Sequence, residues 1–206
     1  MAPGRSITES SNELTSDIDV ATPLQMVRLL RAADGQLFSG YGGYAGMYDS
    51  ETLITLARLA YIAGKILSNP RGCVVMSGAG TSGRLAMFTA RAFNQKQTDP
   101  QAPQQFRYTM AGGSQALIQA QEGAEDDAVQ SVRDLEEAAA GFDEVFYIGI
   151  TCGMSAPYIA GQLEHMLNGR MKGHAVLMGF NPVEMARSTP IEGWNGTFLD
   201  LSLIHI

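Results

Sequence analysis

Two stretches of this chain set hydroxyl side chains directly after a run of small residues, a combination suited to holding a phosphate. The first is Gly78-Ala79-Gly80-Thr81-Ser82-Gly83. It satisfies G-x-G-x-x-G, but a dinucleotide site also needs an acid at the end of the next strand, where this chain reads Met110-Ala111-Gly112-Gly113-Ser114. No Lys-Ser or Lys-Thr pair follows the glycines, so a mononucleotide P-loop does not fit either. What remains is a glycine turn, Gly80 and Gly83 included, that delivers Thr81 and Ser82 to the start of a helix. Backbone N–H groups, the positive end of the helix dipole and two hydroxyls suit one phosphate there. Alternatively, the glycines serve only close strand–helix packing and the hydroxyls act as caps.

The second stretch, Thr151-Cys152-Gly153-Met154-Ser155-Ala156-Pro157, also carries hydroxyls into a helix, with Pro157 suited to its first turn. Cys152 has no histidine in a comparable loop to activate it and reads as a small apolar filler. Between the two lies Glu122-Gly123-Ala124-Glu125-Asp126-Asp127, four carboxylates in six positions. Either they favour a helix N-terminus by their charge, or Gly123 turns one of them inward.

These residues need a scaffold. After Pro70 come four short apolar runs, Cys73–Met76, Phe106–Met110, Val145–Ile150 and Ala175–Phe180, with helix-compatible segments at 83–94, 124–140 and 155–169 between them. Continuous apolar runs read as strands buried on both faces, and strand–helix alternation as a parallel sheet between helical layers. The expected fold is therefore α/β, a three-layer sandwich. In such a sheet ligands bind beyond the carboxyl ends of the strands, where all three stretches fall. Ahead of the sheet, residues 1–22 read as a polar arm. Residues 23–69 read as a helical segment, with Pro23 opening one helix, Asp49 or Ser50 capping a second, and Leu53, Leu56, Leu59, Ala60, Ala63 and Leu67 marking one face of the latter. Residues 70–206 form the sheet domain, and the alternation stops early enough that a longer parent protein is expected.

Composition narrows the function. Of 206 residues, 14 are Lys or Arg and 21 Asp or Glu, a net charge of −7, so nucleic acid and anionic membranes are not expected partners. No apolar run reaches the ~18 residues of a membrane span. Two cysteines and three histidines without ligand spacing point to no metal, no cofactor and a reducing compartment, the cytoplasm with the nucleus left open.

Gly80-Thr81-Ser82-Gly83-Arg84-Leu85, Ala111-Gly112-Gly113 and Glu122-Gly123-Ala124-Glu125-Asp126 together resemble the sugar isomerase (SIS) domain of N-acetylmuramic acid 6-phosphate etherases and glucokinase regulatory proteins. The arm, Ile7-Thr8-Glu9-Ser10-Ser11-Asn12 through Asp17-Ile18-Asp19, is similar to a signature of both branches, so the resemblance runs from about residue 6 to about residue 200. It implies a phosphorylated hexose or amino sugar as ligand, with contacts at Thr81, Ser82, Glu125, Thr151, Gly153 and Ser155.

The etherase resemblance implies two glutamates, one removing a proton beside the sugar carbonyl and one protonating the departing ether oxygen. Glu125 matches one, and Ala92 stands where the other belongs. Loss of one such group typically forfeits about 10²–10⁴-fold in rate. Phe93-Asn94-Gln95, the Thr151–Pro157 loop and Gly179–Arg187 look like the regulatory branch. The leading expectation is a regulatory module that binds fructose phosphates, with a sugar kinase as partner and pairing of two SIS domains, in tandem or as a homodimer. The alternative is an etherase-like carbon–oxygen lyase, or an aldose–ketose isomerase, using Glu125.

Overall fold

The computed structural model describes residues 7, 10–119, 121–190 and 196–199. The chain divides into two compact units, one carrying residues 9–62 and the other 63–206.

In the first unit, α1 (Pro23–Ser39) starts at a complete capping box: Gln25 N donates to Thr22 Oγ1 at 3.4 Å, and Thr22 N donates to Gln25 Oε1 at 2.8 Å. Pro23 occupies the first helical position, where its missing N–H costs nothing. The arm folds as short 3₁₀ turns, Glu13–Thr15 and Ile18–Val20, and Asn12 Nδ2 ties it to α1 by donating to Gln36 Oε1 at 2.6 Å. Asp49 opens α2 (Ser50–Leu67), its Oδ1 accepting from Glu51 N at 3.0 Å. The expected apolar face of α2 is not buried as a face: Leu53 is 47% exposed, and the one buried side chain of the helix is Ile66. Leu24, Val27 and Leu30 of α1 are likewise exposed. Helical periodicity marks an apolar stripe and says nothing of what covers it.

The second unit is the expected α/β sandwich. Strands β1 (Gly72–Gly78), β2 (Phe106–Met110), β3 (Glu144–Ile150) and β4 (Gly173–Met178) form one all-parallel sheet in the order β2-β1-β3-β4. Central β1 is buried at all seven positions. Because side chains alternate along a strand, Cys73 and Val75 with Val145 and Tyr147 face one side. There they pack on Leu135 of α4 (Ala128–Ala138) and on Tyr158, Ile159 and Leu163 of α5 (Pro157–Leu167). α3 (Gly80–Gln95) covers the opposite side, where Phe93 stacks on Phe106 with ring centroids 4.7 Å apart. At the opening ends of β1 and β3, Arg71 forms a bidentate ion pair with Asp143, whose Oδ1 accepts from Nη2 at 2.6 Å.

Several boundaries differ from the sequence reading, and at β4 and α4 the structure shows why. β4 starts two residues early, at Gly173, because a Cβ there would lie 1.8 Å from the Val145 carbonyl oxygen; only glycine lets the chain meet β3 at that point. It ends at Met178, before Gly179 and Phe180 turn back over the loop that follows β3. α4 starts at Ala128, four residues after the expected 124. Asp127 caps it, Oδ1 accepting from Gln130 N at 2.8 Å, and Ala124–Asp126 forms a separate 3₁₀ turn behind left-handed Gly123.

Candidate functional site

The chain runs from β1 to β2 on one side of the sheet and resumes with β3 on the other side of β1. The topological switch point, where open α/β sheets form their ligand crevice, therefore lies between β1 and β3. The two hydroxyl-bearing loops leave from that point. Gly78, the last residue of β1, is in register with Ile150, the last of β3, and on its other side with Met110 of β2. All three turns singled out by sequence thus rise from one level.

In the first loop the structure separates the jobs of the glycines from those of the hydroxyls. A Cβ on Gly78 would lie 2.5 Å from Gly83 N, and one on Gly83 2.5 Å from Met110 Cγ, so close packing accounts for both. Gly80 takes a left-handed φ of +53° and a Cβ there would meet nothing within 4 Å, so the space above it is open. Thr81 and Ser82 are not caps: they lie inside the first turn of α3, whose N-cap residue, Ala79, supplies no side-chain hydrogen bond. Arg84, read only as part of a motif, has a structural task, its Nη2 donating to the Ala116 carbonyl at 3.1 Å. That bond ties the 3₁₀ turn after β2 (Gly113–Leu117) to α3.

The second loop is held from behind. Its carbonyls at Cys152, Gly153, Met154 and Ser155 accept, in that order, from Phe180 N (2.9 Å), Asn181 Nδ2 (2.9 Å), Arg187 N (3.2 Å) and Arg187 Nη1 (3.4 Å). Thr151 is buried and shapes the loop: its carbonyl accepts from Met154 N at 3.2 Å and its Oγ1 from Ser155 N at 3.3 Å. Five consecutive carbonyls are thereby engaged within the protein. Met154 bends the loop with a φ of +52°, a left-handed conformation that is uncommon for a residue with a side chain. Ser155 is exposed at the entry to α5, which also lacks a side-chain cap. Cys152 is exposed, not the small apolar filler expected from the sequence. Asn181 and Arg187 were read only as part of the Gly179–Arg187 motif, and their task of holding the second loop is legible only once their partners in space are known.

Helix capping divides the chain in an informative way. α1, α2 and α4 are capped by Thr22, Asp49 and Asp127, whereas α3 and α5, the helices entered from the two loops, have no side-chain cap. The opening N–H groups of α3 thus have no side-chain partner at the positive end of its dipole, whereas in α5 Pro157 has no N–H and Ile159 N donates to the Ala156 carbonyl at 3.0 Å. Of the carboxylates at 122–127, Asp127 is spent on capping, while Glu125 is exposed on a turn anchored through Ala124 against the core. Ala92 is exposed and lies about 16 Å down the axis of α3 from Thr81, at 1.5 Å per residue. An acid at that position would stand far from the two loops of its own chain. A cleft of about 450 Å³ runs along the outer edge of β2, lined by Arg91, Asn94, Arg107 and Tyr108 among others, away from the switch point.

No helix among the described residues is long and apolar enough to cross a membrane.

Comparison with known proteins agrees with this architecture. Residues 58–167 match the glucokinase regulatory protein N-terminal SIS domain. The chain is 40% identical over 197 residues to the glucokinase regulatory protein of Homo sapiens, covering 93% of this chain and 32% of that protein. To the protein of the same name from Xenopus laevis it is 39% identical, with the same coverage. An N-acetylmuramic acid 6-phosphate etherase of Clostridium botulinum (strain Okra / Type B1) is 31% identical over 159 residues, 77% of this chain and 49% of the etherase. The chain thus spans about a third of the length of the regulatory proteins it matches. It belongs to the SIS-domain family, on the side of the glucokinase regulatory protein N-terminal SIS domain.

Proposed function

We propose that this chain binds a phosphorylated hexose, a fructose phosphate in the first instance, between the 80–83 and 151–155 loops, and that it acts as a regulatory module. The observation that carries the reading is the convergence of two hydroxyl-bearing loops at the switch point, each leading into a helix without a side-chain cap. Two dipole ends, the uncapped N–H groups that open α3 and the hydroxyls of both loops form a favourable setting for a dianion. Thr81, Ser82, Gly153 and Ser155 supply the nearest contacts, Thr151 shapes its loop, and Glu125 faces the sugar hydroxyls. The regulatory proteins among the relatives make a sugar kinase the partner of choice, with pairing of two SIS domains as part of the same reading.

Calorimetric titration of the full chain with fructose 6-phosphate, fructose 1-phosphate and unphosphorylated fructose tests this reading. Saturable binding of a phosphate ester and none of the free sugar is the expected result. No binding of either ester overturns it.

The second reading is an etherase-like lyase using Glu125, favoured by the etherases among the relatives. Ala92 weighs against it, since a methyl group neither donates nor accepts a proton. Lactate release from N-acetylmuramic acid 6-phosphate would establish the lyase in place of the regulator.

A further inference from the structure

We propose that the outer edge of β2 is a docking groove for an extended peptide segment carrying an acidic side chain, held chiefly through its main chain. The proposal does not depend on the sugar-phosphate reading. β2 is an edge strand, first in the order β2-β1-β3-β4, and the register fixes which of its main-chain groups face outward. Gln105 O accepts from Val74 N at 2.9 Å, and Ala111 N donates to Gly78 O at 3.2 Å. Gln105, Arg107, Thr109 and Ala111 therefore turn their main chain toward β1, and by alternation Phe106, Tyr108 and Met110 turn theirs away. Phe106 shows what such groups require. Asn94 Oδ1 accepts from Phe106 N at 3.1 Å and Asn94 Nδ2 donates to Phe106 O at 2.7 Å, so one side-chain amide takes the place of a neighbouring strand. Among the described residues no such partner meets the outward N–H and C=O of Tyr108 or Met110.

Both residues line the cleft of about 450 Å³, with Arg91 of α3 on one wall and Asp134 and Glu137 of α4 on the other. A donor and an acceptor repeating at every second residue match the main chain of a peptide, the basis of strand addition. Because the edge is recessed between two helices, a second copy of this domain, its own β2 flanked in the same way, would meet helix before strand. A single extended segment fits, and Asn94 ends the groove at Phe106, so the docked stretch is short. Charge selects its side chain. Arg107, which also lines the cleft, donates from Nε to the Ala138 carbonyl at 3.0 Å and keeps its terminal nitrogens uncommitted. Arg91 is exposed and has no side-chain partner among the described residues. The Asp134 carboxylate already accepts from Gln130 Nε2 at 2.8 Å and from the Tyr158 hydroxyl at 2.6 Å. Two guanidinium groups thus stand against one uncommitted carboxylate, Glu137, which favours an acidic residue in the bound segment.

The test is an NMR titration of the isotope-labelled full chain with a capped heptapeptide of serine, threonine and valine around one central glutamate. The amide resonances of Tyr108 and Met110 should shift saturably while those of β3 stay in place. Two further peptides, each methylated on one alternate set of main-chain nitrogens, separate main-chain pairing from side-chain contact. One set should cost about tenfold or more in affinity and the other little, because only one set faces β2. Arg91→Glu, at an exposed position in the body of α3, should fold and bind the peptide several-fold more weakly than wild type. With glutamine in place of the central glutamate, that difference should vanish. Absence of a saturable shift at Tyr108 and Met110, or equal tolerance of both methylated sets, overturns the proposal. So does wild-type affinity of Arg91→Glu for the glutamate peptide, which removes the acidic side chain from it. Shifts at the same two amides that follow protein concentration without peptide would give the edge to a second copy and overturn it as well.

Discussion

The Tyr147 hydroxyl donates to Gln162 Oε1 across 3.0 Å, and neither side chain is exposed to solvent. The bond joins β3 to α5 at the centre of a buried polar cluster. The Gln162 amide also donates to the Ser131 carbonyl at 2.7 Å and to Thr109 Oγ1 at 3.2 Å, and Thr109 donates to Ser77 Oγ at 2.7 Å. One side chain of α5 thus links β2, β3 and α4 directly and β1 through Thr109, just beneath the turns that form the site.

Replacing Gln162 by Leu should cost about 2–4 kcal/mol, because it strands several buried polar partners at 1–3 kcal/mol each with partial relaxation. Tyr147→Phe removes the donor and leaves the other Gln162 bonds in place, so about 1 kcal/mol is expected. Urea unfolding measures both, with a lowered midpoint and an unchanged slope as the expected pattern.

Thr81→Ala and Ser82→Ala should leave stability within about 0.5 kcal/mol of wild type, since neither residue caps α3. Each should weaken fructose phosphate binding about tenfold, the worth of one hydrogen bond to a charged group. By contrast, Asp127→Ala should cost about 1 kcal/mol of stability, because Asp127 does cap α4. A loss of stability in the two α3 variants equal to that of Asp127→Ala would return their hydroxyls to a capping role.

The two thiols should behave oppositely. Cys152 is exposed and should react with a maleimide in the native chain, whereas Cys73, 0% exposed, should react only on unfolding. Burial pushes the Cys73 thiol up to about 12, with Arg107 acting weakly in the other direction. The unfolded chain therefore loses this proton near pH 8.5, long before the folded one does. The contribution is complete below that pH and drains away as pH rises toward 12. Burial moves the Tyr147 hydroxyl in the same upward direction. The urea midpoint should fall steadily from pH 8.5 to 11, and Cys73→Ala should flatten part of that slope.

Ala92→Glu should fold as wild type does, because position 92 is exposed in the body of α3. With the new acid about 16 Å from Thr81 along the helix, it should not by itself confer lactate release in the single chain. Glu125→Gln should likewise leave stability unchanged while weakening sugar phosphate binding. Release of lactate that depends on Glu125 would favour the lyase over the regulator.

The elements were legible because their signals are local. A proline opens α1 and another α5, and the apolar runs at β1 and β3 advertise strands covered on both faces. The motif stretches after β1, β2 and β3 were likewise visible as glycines and hydroxyls at fixed spacing. The boundaries that moved did so for non-local reasons: β4 begins where Gly173 meets the Val145 carbonyl, and α4 begins where Asp127 rather than an earlier acid takes the cap.

By itself, then, the amino-acid order determined the α/β class, the order of its elements and the residue types offered at the strand ends, since those depend on interactions within a few residues. Tertiary structure alone decided that Cys152 is exposed, that Ala92 lies far down α3, and that the carbonyls of 152–155 are bound by residues 180–187. It also decided that Gln162 meets Thr109 across 53 positions. Hydrogen bonds and burial are set by distance in space, and residues this far apart in the chain come within bonding range only when the sheet has assembled.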